Sequence, residues 1–139
     1  MMSKATPSPR TLGVFTDDER PLPPNLDNVH VVLVQPRVPG NIGAVARAMM
    51  TMGLSRLVLV DPCDYGPSTE APARARAAQE VLDNAKVVDT LDAGLEGLTL
   101  VLGTTAKRRR QGMRSVVPLR EGVAELVPVS QTQPVGLLF

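Results

Sequence analysis

Val31-Val-Leu-Val-Gln-Pro-Arg-Val-Pro-Gly-Asn-Ile-Gly-Ala-Val-Ala-Arg47 joins a strand, a corner and a helix without a break. Its apolar, β-branched start has the composition of a strand buried on both faces. Pro and Gly then turn the chain, and a helical segment opens at Asn41 with a glycine and small residues. Ile42, Val45, Met49 and Met52 fall on one stripe of that helix, which ends at Gly53. Such a strand–loop–helix unit is the first half of a parallel α/β domain, and the loop lies where those domains bind ligands.

The same alternation continues along the chain. Strands are expected at residues 29–35, 56–60, 86–88, 98–102 and 135–139. Helices are expected at 41–52, at the Ala-rich stretch 71–84, at 91 to about 96 behind Asp89-Thr90, and at 119–126. Strands separated by helices imply right-handed crossovers and a parallel sheet. The fold class is therefore α/β, an open Rossmann-like parallel sheet with helices on both faces. Residues 1–27, with Pro7, Pro9, Pro21, Pro23 and Pro24 among polar residues, read as a flexible extension. Residues 28–139 form the domain, a size that suits one core for a chain of 139 residues.

Composition narrows the function. An apolar fraction of 43% with 21% charged residues fits a soluble globular protein, and no apolar run or secretory leader stands out. A cytoplasmic location is expected. One cysteine, Cys63, and one histidine, His30, leave no disulfide framework, no multi-cysteine metal cage and no histidine-based relay. Cys63 reads as an incidental loop thiol and His30 as a structural strand residue. Net charge is +1, yet Lys107, Arg108, Arg109, Arg110, Arg114 and Arg120 crowd a segment without an acid. That segment follows Gly103-Thr104-Thr105-Ala106, a small-residue strand end whose backbone amides and carbonyls are open to a ligand. Phosphate contacts there would add salt-sensitive affinity without sequence readout. Aromatics are too few for base stacking on a sheet.

Asn41 reads equally as a helix N-cap and as a functional amide. Gly43 leaves the first turn bare for another backbone or a substrate. Arg47 falls opposite the apolar stripe, flanked by Ala44, Ala46 and Ala48. A lone helical arginine is usually just solvated, but a guanidinium on a bare surface suits phosphate or ribose.

Pro39-Gly-Asn-Ile-Gly-Ala-Val-Ala-Arg-Ala-Met49 resembles the first signature of SpoU/TrmH-type RNA methyltransferases of the SPOUT superfamily. Thr51-Met-Gly-Leu-Ser-Arg-Leu-Val-Leu-Val-Asp-Pro62, Val87-Val-Asp-Thr-Leu91 and Leu100-Val-Leu-Gly-Thr-Thr-Ala106 follow in the family's order and look most like the TrmJ subgroup acting on tRNA. The resemblance implies S-adenosyl-L-methionine as methyl donor, no metal, transfer to a ribose 2′-hydroxyl of RNA, and a homodimer. It places Asn41 and Arg47 near the target ribose as catalytic residues, and Thr104, Thr105 and Ala106 at the donor. Arg47 with Lys107, Arg108, Arg109 and Arg110 would meet the RNA. Relatives continue past the strand ending at Phe139 into a trefoil knot, a segment this sequence does not contain, so the chain alone is expected to be inactive. The alternative is a non-catalytic RNA-binding fragment or pseudoenzyme without the donor site. An unrelated nucleotide-binding domain is disfavoured because neither G-x-G-x-x-G nor G-x-x-x-x-G-K-[ST] occurs.

Overall fold

The computed structural model describes residues 24–105 and 116–139. A five-stranded, wholly parallel sheet runs in the order β3-β2-β1-β5-β4, with β1 Val29–Val34, β2 Arg56–Val60, β3 Lys86–Val88, β4 Leu100–Gly103 and β5 Val135–Leu138. Helices are α1 Pro39–Thr51, α2 Ala71–Ala75, α3 Gln79–Asp83, α4 Leu91–Leu95 and α5 Leu119–Ser130. The fold class expected from sequence is the one observed.

Strand alternation sorts the core into two layers. Val29, Val31, Leu33, Leu57, Leu59 and Val135 point to the side carrying α1, α2, α3 and α5. Val32, Val58 and Val60 point the other way, where Gly94 and Leu95 of α4 pack on them with Val88, Leu98 and Leu138. The sheet therefore has a core layer on each face, the α4 layer being the smaller. Leu26 joins the first layer from a 3-10 turn ahead of β1. Asn25 donates its backbone N–H to Ser130 Oγ (3.2 Å), and Asn28 donates its side-chain amide to the Ser130 carbonyl (2.8 Å). Of the expected N-terminal extension, residues 1–23 lie outside the described residues, whereas 24–27 are part of the fold.

Four local expectations change. Helix α1 starts at Pro39 behind the extended Val38, so Asn41 is its third residue and not its N-cap. Proline's fixed φ and missing N–H suit the first helical position, which moves the start upstream. Met52 is not core: it lies at the end of α1 and is 58% exposed, while Ile42 and Met49 are buried and Val45 is half-buried. Gly53 does take the left-handed turn at φ 77°. The Ala-rich stretch is two short helices separated at Arg76 (φ 51°) rather than one. Ala71, Ala75, Ala78 and Leu82 keep helical spacing across that break, which is why periodicity did not reveal it. Helix α5 runs four residues beyond its expected end, through Pro128. The Ser130 hydroxyl donates to the Val127 carbonyl (2.6 Å) in that last turn.

Among the described glycines, the closest backbone approach joins α1 to α2. A Cβ at Gly43 would lie 2.1 Å from the Ala71 carbonyl oxygen and 3.0 Å from the Ala75 nitrogen. The bare first turn thus admits a backbone, not a substrate. Gly43→Ala should lower stability by about 3 kcal/mol or prevent folding, because backbone atoms must separate. Ala44→Ser on the exposed side should change it by less than about 0.5 kcal/mol. Urea unfolding of both variants checks the contrast.

Candidate active site at the carboxyl rim of the sheet

Four strand ends form the rim at which parallel sheets bind ligands. Between β1 and β2, Gln35 (φ 49°) and Asp61 (φ 45°) both adopt left-handed backbone immediately after their strands. Non-glycine residues seldom do so, and each such corner costs about 1 kcal/mol or more. The two are neighbours because Val34 pairs with Val60. Gln35 Nε2 donates to Asp61 Oδ2 (3.2 Å), Arg37 NH2 meets the same oxygen at 3.0 Å, and Arg37 NH1 donates to the Asp61 carbonyl (3.3 Å). Cys63 N–H donates to the Pro36 carbonyl (2.9 Å), and its thiol packs half-buried against the core, in keeping with a structural role. These bonds fix residues 35–38, the approach to α1. Sequence reasoning missed Arg37, which stands between two prolines. The available signal was that Gln-Pro-Arg and Asp-Pro occupy matching ends of adjacent strands.

Beyond that corner, Asn41 is exposed and its side chain caps nothing. Arg47 is also exposed, with Ala44 and Ala48 exposed beside it, while Ala46 turns into the core. The Arg47 backbone carbonyl accepts from Thr51 Oγ1 (3.0 Å). Its guanidinium has no carboxylate partner among the described residues.

Thr104 and Thr105 are exposed at the end of β4. The Thr104 amide, expected to be open to a ligand, instead donates to the Leu138 carbonyl (2.9 Å), and its hydroxyl donates to the same oxygen (3.3 Å). This continues the β4–β5 ladder by one step. A cavity of about 530 Å³ opens beside this turn, between β4 and α5, floored by Leu100 and Leu102 and edged by Glu125. Gly122 lets α5 lie against Leu102 there. Ala106, Lys107, Arg108, Arg109 and Arg110 lie outside the described residues. No set of three or more His, Cys, Asp or Glu could hold a metal ion among the described residues.

The structure brings Asn41 and Thr104 to one rim but does not unite the whole set. Strand β5 separates β1 from β4, so the two loops stand roughly 10 Å apart across the sheet. Arg47 lies roughly 9 Å further down α1 from Asn41, away from that rim.

The Arg37 and Gln35 hydrogen bonds, aided by the Arg37 charge, hold the Asp61 carboxyl below its ordinary value. A depressed carboxylate stabilises the fold above its unfolded-state pKa and loses that contribution as pH falls through the folded value. In an NMR titration the Asp61 midpoint should lie below about 3.9 and rise toward it in Arg37→Ala. An unchanged midpoint would show that the guanidinium is not held there in solution.

The profile of the SpoU rRNA Methylase family matches residues 28–127. The tRNA (cytidine/uridine/adenosine-2′-O-)-methyltransferase TrmJ of Pseudomonas aeruginosa is 55% identical over 85 residues, covering 61% of this chain and 33% of that protein. The tRNA (cytidine/uridine-2′-O-)-methyltransferase TrmJ of Pectobacterium atrosepticum is 45% identical over 114 residues, covering 82% and 46%. The crystal structure of TrmJ from Z. mobilis superposes with a TM-score of 0.67 at 34% identity, covering 79% of this chain and 48% of that one. The chain thus spans less than half the length of these relatives. By the extent of the family match and the fold that accompanies it, this chain belongs to the SpoU rRNA Methylase family.

Proposed function

We propose that this chain supplies the ribose-facing part of an S-adenosyl-L-methionine-dependent RNA 2′-O-methyltransferase whose substrate is tRNA. The observation that carries this reading is the exposed Arg47, flanked by the exposed Ala44 and Ala48 and with no carboxylate partner among the described residues. Small neighbours let a polynucleotide approach the guanidinium, and its planar fork suits a phosphate or a ribose oxygen. The names of the relatives favour tRNA and the 2′-oxygen.

The bound donor supplies an electrophilic methyl carbon; the ribose oxygen forms the new C–O bond, the S–C bond breaks, and the hydroxyl proton leaves. Such in-line displacement draws much of its rate from positioning. A guanidinium stays charged at neutral pH, so Arg47 is an electrostatic partner of the developing alkoxide and of a neighbouring phosphate. The proton passes to phosphate or water. Asn41, free of any capping duty, offers an amide to the sugar. At the other loop, the apolar floor and Thr104 beside the cavity fit the donor's size and its hydrogen-bonding needs. Because β5 parts the two loops within one chain, a homodimer in which α1 of one copy meets the β4 turn of another belongs to this reading. So does a cytoplasmic location, and no helix among the described residues is long and apolar enough to cross a membrane.

The test is 2′-O-methylation of tRNA, read as 2′-O-methylnucleoside in digested product, by the protein that carries this chain. Arg47→Lys should lower kcat at least about tenfold, as expected when one transition-state contact worth about 1.4 kcal/mol is lost. Asn41→Ala should reduce turnover while shifting stability by less than about 0.5 kcal/mol, since no cap is removed. Near-normal turnover in both variants would overturn the assignment.

A further inference from the structure

The opposite, amino end of the sheet holds a second feature. Val32 and Val58 face the α4 layer. Side chains alternate along a strand, so His30 and Arg56, two residues earlier, rise from that same face. Lys86 pairs in register with Val58, and His30 with Arg56, so Lys86 shares the face as well. Three basic residues on three adjacent strands therefore share the amino end of this face.

Nothing on the described chain neutralises them. Arg56 Nε donates a hydrogen bond to the Asp27 backbone carbonyl (3.0 Å). No described carboxylate forms an ion pair with any of the three, Asp27, Asp83, Asp89 and Glu96 included; the Arg37–Asp61 pair lies at the other end of the strands. Arg56 and Lys86 are exposed and His30 half-buried. Burial and the neighbouring Arg56 and Lys86 charges hold the His30 imidazole below its ordinary value, which agrees with a site that lacks a counterion.

We propose that Arg56 and Lys86, with the His30 imidazole beside them as a hydrogen-bonding group, form a second RNA contact surface, binding backbone phosphates at the edge of the sheet remote from Asn41. The spacing favours a polyanion over a single phosphate. Lys86 lies one strand across and two residues along from Arg56, roughly 8 Å away, so the cations spread out rather than converge. Contacts of this kind add affinity and salt dependence but no base preference. The proposal rests on the RNA reading above, yet it concerns different residues and is separable from it.

The experiment measures tRNA binding by filter retention across a salt series for the full protein and for Arg56→Gln/Lys86→Gln, with Arg47→Gln alongside. Both substituted side chains are exposed, so the fold should persist, and urea midpoints verify this. The double variant should bind at least about fivefold more weakly, with the slope of log K against log salt shallower by about 1.5. If Arg47→Gln weakens binding and the double variant leaves the slope unchanged, this proposal falls and the α1 reading stands. If the double variant alone has an effect, the reverse holds. Inorganic phosphate is the second arm: a saturable shift of the His30 imidazole resonance at sub-millimolar phosphate, not competed by tRNA, would assign the surface to a small anion and overturn the proposal.

Discussion

Backbone contact at Gly43 sets the rotation of α1, and the rest of the site follows from that rotation. With the Ala71 carbonyl seated where a side chain would be, α1 cannot turn about its axis without losing its neighbour. Ile42, Ala46 and Met49 then face the sheet, and Ala44, Arg47 and Ala48 face solvent. Small residues on the two sides of the helix serve two ends. On one side of the helix they permit close packing, and on the other they leave a guanidinium unobstructed. Packing of this density transmits little slack, so the direction of Arg47 is a property of the core.

The two ends of the sheet differ in kind. At the carboxyl rim, two strained corners are cross-linked by Arg37 and Asp61, and the loop that delivers α1 is stiffened before the helix begins. Strain of this sort persists only where surrounding bonds over-determine it. At the amino end, Arg56 and Lys86 carry positive charge with no carboxylate partner among the described residues. One end is built by hydrogen bonding, the other by the absence of counterions, and the second arrangement is the one suited to an ion that arrives from outside.

The fold was readable because its signals are periodic. The β-branched runs at Val29–Val34 and Arg56–Val60 and the strand at Lys86–Val88 mark β1, β2 and β3, and Thr90 accepts from the Ala93 amide (3.2 Å) at the start of α4 as its sequence suggested. What sequence could not show were features that depend on distant residues. The role of Gly43 needed α2 beside it, and the occupied Thr104 amide needed the end of β5. The helix start at Pro39 was a local signal outweighed by the attraction of Asn41 as a cap. Arg37 and Asp61 are far apart in sequence and meet only because β1 and β2 are adjacent. His30, read as a structural strand residue, gained meaning only from the register that sets Arg56 and Lys86 on its face.

The central claim is that the outer face of α1 meets RNA, and site-directed cross-linking tests it most directly. A photoreactive group attached at an Ala48→Cys position, in a protein with Cys63→Ser, would be irradiated with labelled tRNA; the same group at Ala77→Cys, exposed beyond α2, serves as reference. The account predicts a cross-link from position 48 that unlabelled tRNA suppresses, and little from position 77. Equal yields from the two positions, or none from position 48 under conditions in which tRNA is bound, would contradict it.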